Sequence, residues 1–452
     1  MPLANGLIIG APRSGSGKTL VTLGLLAALR ARGIAVVPAK TGPDYIDRAI
    51  LARAAGVEAI NLDPWAMTPE RLRSLAATHA ASSDLLLIEG VMGLFDGAAD
   101  GTGSTGDLAA ALRLPVLLVV DADKQGQSIA ALVQGFARFR PDVEVAGVVV
   151  NRVATTRHER LLRTALEPTG IPVLGVLPRR EALAIAERHL GLVLPDEVAG
   201  FADVVAAAAE AVEDYVDITR LLSLSGALEA LDIMEPPRRL PPLGQRIAIA
   251  RDDAFAFLYP HWLHDWRAQG AELSFFSPLA DESAKMNSDA VFLPGGYPEL
   301  HGAVLAAAHH FQSGLRAARD RGALIYGECG GYMALGHSLT DKAGATHRMT
   351  ALLPVETDIS RPRRTLGYRR LHHAGALPWP QDLRGHEFHY SSGRDAGGTP
   401  LFTATDAAGE PTPPMGSVVG RVMGSYAHVI DVAQAREQQE VVSGFAVRER
   451  DH

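Results

Sequence analysis

Cysteine is almost absent from this 452-residue chain, which contains a single one, Cys329. One thiol excludes an intramolecular disulfide, so the fold must be held together by its core. No apolar run approaches the roughly 18 residues that a membrane-spanning helix needs. Residues 1–10 also lack the basic-then-apolar pattern of a signal peptide. We therefore predict a cytoplasmic protein that does not enter a membrane.

An excess of positive charge is also missing. The chain has 43 Lys and Arg against 51 Asp and Glu, which gives a net charge of −8. This balance excludes a protein that wraps nucleic acid or coats an anionic membrane, because both need a broadly basic surface. Any anionic ligand must therefore be bound by a local cluster of basic residues.

Aromatic residues make up only 6% of the chain, whereas 47% is hydrophobic and 45 residues are glycine. This composition is typical of an Ala- and Gly-rich α/β protein with a core large enough to fold unaided. The length predicts roughly two or three domains.

The order of apolar segments predicts how these domains are arranged. Short β-branched runs alternate with amphipathic Ala- and Leu-rich segments, as in βα units that form a parallel sheet. We predict strands at 7–9, 35–39, 85–88, 115–120 and 145–150, helices at 18–32 and 199–212, and further strands at 246–250, 290–293 and 324–326. The Pro-rich run EPPRRLPP at 235–242 interrupts this order and predicts a linker. The predicted domains are 1–235 and 246–452, joined by 236–245.

The sequence APRSGSGKT at 11–19 follows the first predicted strand and opens a helix, which is the setting of a phosphate-binding loop. Gly15 and Gly17 would let backbone N–H groups point at phosphate oxygens. Lys18 would reach the β- and γ-phosphates, and the Thr19 hydroxyl would bind Mg²⁺. Pro12 stands where the full pattern has glycine, and a tight turn without a ligand is the alternative.

Acidic residues follow several predicted strands. Glu89 ends the apolar run LLLIE at 85–89, and a buried carboxylate there needs a cation, so Glu89 and Thr19 together predict Mg²⁺ bound with ATP. Further candidates for a second metal or an activated substrate are Asp96, Asp121 and Asp123. Asn151 follows the fifth strand and is a candidate for an adenine contact.

The string KTGPDYID at 40–47 follows the second strand and combines a cation with two acids. Lys40, Asp44 and Asp47 are therefore candidates for binding substrate or metal, although aspartate is also common in turns.

Cys329 lies in GECGG at 327–331, between a predicted strand and a predicted helix. Small flanking residues are typical of a nucleophile on a strained turn, and the helix N-terminus favours the thiolate. A buried structural thiol is the alternative.

A thiol nucleophile needs a base, and among 16 histidines the candidates near strands or turns are His386, His389 and His428. Gly295 and Gly296, in PGGYPE at 294–299, could supply backbone N–H groups for an oxyanion hole, and Gly330 beside the thiol is a third candidate.

Taken together, these motifs resemble the glutamine-dependent a,c-diamide synthase family of corrinoid biosynthesis over nearly the whole chain. GPDYID at 42–47, EGVMG at 89–93 and GSYAH at 424–428 carry the specific part of the resemblance. It implies a dethiobiotin-synthetase-like N-terminal domain with a phosphate-binding loop and a parallel sheet. It also implies a C-terminal class I glutamine amidotransferase domain with a flavodoxin-like α/β fold.

The same resemblance implies a mechanism. Cys329, with His428 as its base, would release ammonia from L-glutamine. In the wider class a Glu two positions after the His orients it, but Ile430 stands there, so the orienting group is absent or comes from elsewhere. ATP·Mg²⁺ would phosphorylate a carboxylate of hydrogenobyrinic or cobyrinic acid, and ammonia would displace the phosphate.

The resemblance also assigns roles in the N-terminal domain. Asp44, Asp47, Glu89 and Asp96 would organise metal, substrate or ammonia. The candidates for holding substrate are Arg13, Lys40, Tyr45, Arg48 and the basic stretch 361–370, and a solvated charged surface is the alternative for these. A homodimer is left open.

Three other functions stay open from the sequence. Cobyric acid synthase and nickel sirohydrochlorin a,c-diamide synthase share the architecture, although the GPDYID string disfavours the first. An ATP-driven partitioning switch with a vestigial C-terminal domain belongs to a different class, and the intact elbow around Cys329 argues against it.

Overall fold

The structure, a computed structural model, describes residues 4–179, 200–229, 237–395 and 397–433. The first residue of the predicted 199–212 helix, the first residue of the predicted linker and the C-terminal residues 434–452 lie outside the described residues. Within the described ranges, no helix is long and apolar enough to cross a membrane.

The first half of the chain alternates strands and helices, as the apolar pattern predicts. The strands are β1 (Asn5–Gly10), β2 (Val36–Thr41), β3 (Ile60–Leu62), β4 (Leu85–Glu89), β5 (Val116–Asp121), β6 (Val145–Val153), β7 (Val173–Pro178) and β8 (Gly226–Ala227). The helices are α1 (Lys18–Ala31), α2 (Tyr45–Ala55), α3 (Pro69–His79), α4 (Thr105–Leu112), α5 (Ile129–Phe139), α6 (Thr156–Leu166), α7 (Phe201–Tyr215) and α8 (Ile218–Ser223).

These strands form one sheet in the order β3-β2-β4-β1-β5-β6-β7, and β8 adds antiparallel to β1. All pairs along the main path are parallel. β1 lies between β4 and β5, so the loop after β1 meets the carboxyl ends of both neighbours. Ligands gather at such points in open α/β sheets, and the predicted parallel-sheet domain is confirmed.

The second half restarts the α/β pattern and then turns to short strands. Its strands are β9 (Arg246–Ala250), β10 (Glu272–Phe276), β11 (Ala290–Leu293), β12 (Leu324–Glu328), β13 (Ser338–Thr340), β14 (Thr346–Arg348), β15 (Val355–Asp358), β16 (Thr365–His372), β17 (Asp382–His389), β18 (Ser392–Asp395), β19 (Phe402–Asp406), β20 (Pro411–Met415), β21 (Ser417–Val419), β22 (Val422–Ser425) and β23 (His428–Val432). The helices are α9 (Pro260–Ala268), α10 (Gly302–Ala307), α11 (His309–Asp320) and α12 (Gly330–Leu335).

The second sheet has the order β10-β9-β11-β12-β22-β21. Its first five strands are parallel and, counted along the chain, follow the order 2-1-3-4-5 of the flavodoxin fold. The predicted flavodoxin-like domain is confirmed, and Cys329 lies between β12 and α12.

Two further sheets were not predicted from the sequence. One is a mixed sheet of order β14-β13-β15-β18, in which β13 and β15 are parallel, and the other is an antiparallel sheet of order β20-β19-β16-β17-β23. Their strands are short, and many of their side chains are polar and partly exposed, so they lack the apolar runs of the parallel sheets. The basic stretch 361–370 runs into β16. There Arg369 pairs with Glu387 at 2.7 Å and Arg370 pairs with Asp100 at 2.8 Å. These two arginines therefore already have acidic partners, and a substrate-holding role for them stays a prediction.

The two halves share a continuous core and a buried ion-pair group. Arg71 of α3 donates to Asp265 of α9 and to Asp431 of β23, the latter at 2.8 Å. Because all three side chains are almost fully buried, this group ties the N-terminal domain to the C-terminal one.

Candidate active sites and the helix between them

The phosphate-binding loop joins β1 to α1 and has the backbone that its glycines permit. Gly15 and Gly17 have φ values of 75° and 97°, which glycine adopts without steric cost. Asn151 donates from its side-chain amide to the Ser16 carbonyl at 3.1 Å, so this residue supports the loop. Its contact with adenine stays a prediction.

Lys18 begins α1, and its ammonium donates to the Met92 carbonyl at 2.5 Å. Burial is the largest influence on this group and lowers the pKa of Lys18 to about 8. The Lys18 side chain is thus held beside the phosphate-binding loop, close to residues 90–93, which follow β4.

Glu89, at the end of β4, uses only one of its two oxygens. Oε1 accepts the Thr19 hydroxyl at 2.7 Å and the Lys40 ammonium at 3.0 Å. Oε2 is buried and has no hydrogen-bond partner. A free carboxylate oxygen beside a threonine hydroxyl is the ligand type that Mg²⁺ prefers, with phosphate oxygens and waters completing its shell. The residues present therefore fit the predicted metal.

Lys40 lies between two carboxylates. Its ammonium is 2.6 Å from Asp47 and 3.0 Å from Glu89. Burial alone would lower the pKa of Lys40, but the charges of Asp47 and Glu89 outweigh it and raise this pKa. Asp44 caps α2 by accepting the backbone N–H groups of Ile46 and Asp47. Burial, followed by the nearby charge of Asp47, raises the pKa of Asp44 to about 6.

The other predicted acids are already paired. Asp96 accepts the Gly93 N–H at 2.8 Å. Asp121 pairs with Arg13 at 3.1 Å and with Arg152 at 2.7 Å, and Asp123 pairs with Arg179. Among the described residues, no group of three or more His, Cys, Asp or Glu is arranged to hold a metal, and a role of Asp121 or Asp123 in holding a second metal stays a prediction.

Cys329 occupies the turn between β12 and α12 with φ 46° and ψ −106°. This conformation is strained for a residue with a side chain, and such strain is common at nucleophile elbows. Its N–H donates to the Ser425 carbonyl at 2.8 Å. Burial, and then the charge of Glu299, raises the pKa of the Cys329 thiol, so the resting group is protonated and needs a base.

The predicted oxyanion-hole glycines surround this thiol. A Cβ placed on Gly295 would lie 2.4 Å from His428 Cε1 and 3.3 Å from Cys329 Cβ, and one on Gly330 would lie 3.0 Å from the Gly296 nitrogen. The structure therefore brings the thiol, His428 and the three glycines together.

His428 opens β23 and is buried against His386, with ring centroids 4.9 Å apart. Burial, with smaller effects of His386 and His389, lowers the pKa of His428 well below its usual value. His428 is therefore neutral and able to accept a proton. His389 instead contacts Glu387 and Ser391.

Helix α2 connects the two candidate sites. Its first residue, Tyr45, follows the cap Asp44 and packs against Tyr259, Phe257 and His428, at centroid distances of 4.4, 5.2 and 5.2 Å. The predicted contact of Tyr45 with substrate is not tested, and the structure places the ring between the domains.

Arg48 lies one turn further along α2. Its guanidinium donates to the carbonyls of Ala59 and Leu258, both at 3.4 Å. Arg48 therefore links α2 to the C-terminal domain, and its role of holding substrate carboxylates stays a prediction.

The sequence analysis missed two carboxylates beside the thiol, Glu328 and Glu299. Both stand inside motifs that it quoted, GECGG and PGGYPE. The signal for Glu328 was its place at the end of a buried strand directly before the nucleophile. Burial raises the pKa of Glu299 to about 7 and that of Glu328 to about 8.

Comparison with known families agrees with both domains. The family described as CobQ/CobB/MinD/ParA nucleotide binding domain matches residues 7–193. The family described as CobB/CobQ-like glutamine amidotransferase domain matches residues 246–435.

Full-length relatives are also similar. A protein named hydrogenobyrinate a,c-diamide synthase from Brucella abortus is 53% identical over 428 residues, which covers 94% of this chain and 98% of the relative. Proteins of the same name from Sinorhizobium sp. and Rhodobacter capsulatus are 49% and 48% identical, covering 95% and 94% of this chain and 100% and 98% of the relatives. With this identity over almost the whole length, the chain belongs to the hydrogenobyrinate a,c-diamide synthase family of glutamine-dependent amidoligases.

Proposed function

We propose that this chain converts two side-chain carboxylates of hydrogenobyrinic acid, a and c, into amides, using ATP and the ammonia of glutamine. The observation that carries the proposal is the direct contact between the two candidate sites: Tyr45, next to the Asp44 cap, lies against His428. Residues 1–235 would form the synthetase domain and 246–452 the glutaminase domain, with 236–245 as the linker.

The glutaminase half uses Cys329 and His428. As the Cys329 sulfur bonds to the side-chain amide carbon of glutamine, its proton passes to His428. The tetrahedral oxyanion is stabilised by backbone N–H groups among Gly295, Gly296 and Gly330. His428 then gives the proton to the leaving nitrogen, and ammonia departs as the carbonyl re-forms in a thioester. Water hydrolyses the thioester to glutamate and restores the thiol.

The synthetase half uses the phosphate-binding loop. A carboxylate oxygen of the substrate attacks the γ-phosphorus of ATP and forms an acyl phosphate as the bond to the β,γ-bridging oxygen breaks and ADP leaves. Lys18 and the loop N–H groups hold the phosphates. Glu89 and Thr19 would hold Mg²⁺, whose charge offsets that of the phosphates. This assignment is supported by the unpartnered Oε2 of Glu89.

Ammonia must reach the acyl phosphate unprotonated, because ammonium is not a nucleophile. We place its route along the N-terminus of α2, between His428 on one side and Lys40 with Glu89 on the other. Asp44 and Asp47 lie on this route. As the nitrogen bonds to the acyl carbon, the carbon–oxygen bond to phosphate breaks and inorganic phosphate leaves, and either carboxylate accepts the proton that the nitrogen loses. The raised pKa of Asp44, about 6, suits a group that must take up a proton near neutral pH.

Substrate carboxylates need basic side chains that remain accessible. Arg13 is 71% exposed even though it contacts Asp121, and Arg361, Arg363 and Arg364 are exposed at the start of β16. These are our candidates. Lys40 is only 2% exposed and is paired with Asp47 and Glu89, so its contact with substrate stays a prediction.

Mass spectrometry of products tests the proposal. Purified protein with ATP, Mg²⁺ and glutamine should convert hydrogenobyrinic acid to a product in which two OH groups are replaced by NH₂. Cobyrinic acid run in parallel tests cobalt-loaded substrate, and the name of the relatives favours the metal-free acid. If neither acid is amidated, the proposed function is wrong.

Measuring glutamate release distinguishes the proposed amidoligase from an ATP-driven switch with a vestigial C-terminal domain. The assembled Cys329, His428 and glycine cluster predicts glutaminase activity in the parent protein and its loss in Cys329→Ala. A vestigial domain would release no glutamate in either case.

A further inference from the structure

The group that orients the catalytic base is not where the wider amidotransferase class has it. Ile430 occupies the position two residues after His428, and it is fully buried. His428 Nδ1 is also buried and has no hydrogen-bond partner. An imidazole that accepts a proton on one nitrogen needs a partner for the other, which fixes its tautomer and stabilises the imidazolium.

Glu328 is the carboxylate that faces this nitrogen. Its Oε2 lies 3.9 Å from His428 Nδ1, and the two side chains are 2% and 1% exposed. Glu328 ends β12 and directly precedes the nucleophile, so one turn presents both groups to the imidazole.

The other oxygen of Glu328 is anchored. Oε1 accepts the Tyr326 hydroxyl at 2.8 Å and the Val429 N–H at 3.0 Å. Val429 directly follows His428, so the carboxylate is attached to the strand that carries the base. This arrangement holds Oε1 in place and leaves Oε2 turned toward the imidazole.

We propose that Glu328 is the positioning residue of His428 and takes the place of the carboxylate that Ile430 lacks. In the working state His428 carries its proton on Nδ1, which faces Glu328 Oε2. Nε2 is then free to accept the Cys329 proton as the sulfur–carbon bond forms. An approach of ~1 Å converts the 3.9 Å separation to hydrogen-bond distance. The proposal rests on the glutaminase activity proposed above.

The groups around Glu328 and His428 favour ionisation of Glu328 when His428 becomes positively charged. The titratable groups near Glu328 include His428, Tyr326 of its own strand, Tyr45 and Tyr259 from the domain interface, and Cys329. Glu299 and Glu387 in turn act on the Cys329 thiol. Those near His428 are Tyr45, His386 and His389. No permanent cation is among these neighbours, so burial raises the pKa of Glu328 to about 8. Positive charge forming on His428 stabilises the carboxylate.

Glu328 is ionised in the working state. The fraction of protein molecules in this state therefore grows as pH rises toward and past the pKa of Glu328. We therefore expect glutaminase kcat to rise with pH through this range.

Glu328→Gln tests the proposal. Gln keeps the oxygen that accepts from Tyr326 and Val429, but it presents an NH₂ group to His428 Nδ1 and favours the wrong tautomer. Glutaminase kcat should fall by ~10²–10⁴-fold, as for an amide replacing a triad carboxylate, with little change in KM, and the rise with pH should disappear. Ammonia-dependent amidation, which belongs to the other domain, should persist.

Tyr326→Phe is the matched control, because it removes one hydrogen bond to Oε1 and leaves the carboxylate. It should retain the rise with pH. A folded Glu328→Gln variant with kcat and pH profile like those of the parent would overturn the proposal.

A second measurement needs no variant of Glu328. ¹⁵N NMR of histidine-labelled parent protein, with the His428 signal identified by its loss in His428→Gln, should report the Nδ1–H tautomer. An Nε2–H tautomer would overturn the proposal whether or not Glu328→Gln folds. Absence of glutamate release by the parent would instead contradict the glutaminase function itself.

Discussion

The ring of Tyr45 lies against the ring of His428, with centroids 5.2 Å apart and planes inclined by 49°. Tyr45 belongs to the GPDYID string of the N-terminal domain, and His428 is the proposed base of the C-terminal one. A motif predicted from the sequence to bind substrate or metal therefore also contacts the candidate glutaminase site. We propose that this contact is the physical link between making ammonia and using it.

Removing the Tyr45 ring should uncouple glutamine hydrolysis from amide formation. In Tyr45→Ala, ammonia can escape at the domain interface, so more glutamate should be formed for each amide than in the parent. Truncating a buried aromatic ring also costs about 3–5 kcal/mol of stability. Assaying glutamate and amide in the same reaction gives the ratio.

Two variants control for this result. Tyr45→Phe keeps the ring and should keep the parental ratio, and Tyr390→Ala removes a tyrosine that is 47% exposed. If Tyr45→Ala forms glutamate and amide in the same ratio as the parent, the ring does not confine ammonia.

Glu89→Gln should abolish amidation with either glutamine or ammonia, while basal glutamine hydrolysis continues. The change removes the charge that faces Lys40 and the oxygen proposed for Mg²⁺, but it leaves Cys329 and His428 untouched. Glu70→Gln, at an exposed position of α3, is the control. Loss of both reactions would mean that the two domains have been assigned wrongly.

Gly295→Ala should abolish glutaminase activity and spare ammonia-dependent amidation. The added Cβ would lie 2.4 Å from His428 Cε1, so the imidazole must move away from the thiol. Gly135→Ala in α5 meets nothing within 4 Å and should behave like the parent. Normal glutamate release by Gly295→Ala would contradict the assembly of Cys329, His428 and Gly295 described above.

Asp63 should make stability depend on pH. Burial raises the pKa of Asp63 from 3.8 to about 6, so the folded state holds this proton more tightly than the unfolded state does. Its contribution to the free energy of unfolding is thus greatest below pH 4. It decreases by about 3 kcal/mol as pH rises through 6.

Asp63→Asn removes this titration and keeps an acceptor for the Tyr368 hydroxyl, which contacts Asp63 at 3.1 Å. Thermal unfolding at pH 4.5 and 7.5 should show the Asn variant gaining stability relative to the parent at the higher pH. A constant difference between the two proteins would contradict the raised pKa.

Local patterns predicted much of the fold and both candidate sites. Glycines and charged residues directly after apolar runs indicated the loop at Lys18, the acid at Glu89 and the elbow at Cys329, because each motif is contiguous in sequence. The flavodoxin-like order followed from the family resemblance. The short polar strands of the two smaller sheets, such as β14 and β20, gave no apolar pattern to detect.

Contacts between residues that are far apart in the sequence could not be predicted from local motifs. The charge of Arg48 is visible in the sequence and predicted a substrate contact, but its contact with the Leu258 carbonyl could not be predicted because Leu258 is 210 positions away. Glu328 was overlooked because the orienting carboxylate was sought after His428, whereas the fold brings it from the strand before the nucleophile.

The central claim is that one chain makes ammonia at Cys329 and uses it at the ATP site. Cys329→Ala, supplied with hydrogenobyrinic acid, ATP and Mg²⁺, tests this most directly when its products are analysed by mass spectrometry with either glutamine or ammonium as the nitrogen source. We predict that the variant forms the diamide from ammonium and none from glutamine, while the parent uses both. Diamide formation from glutamine by Cys329→Ala would contradict the account.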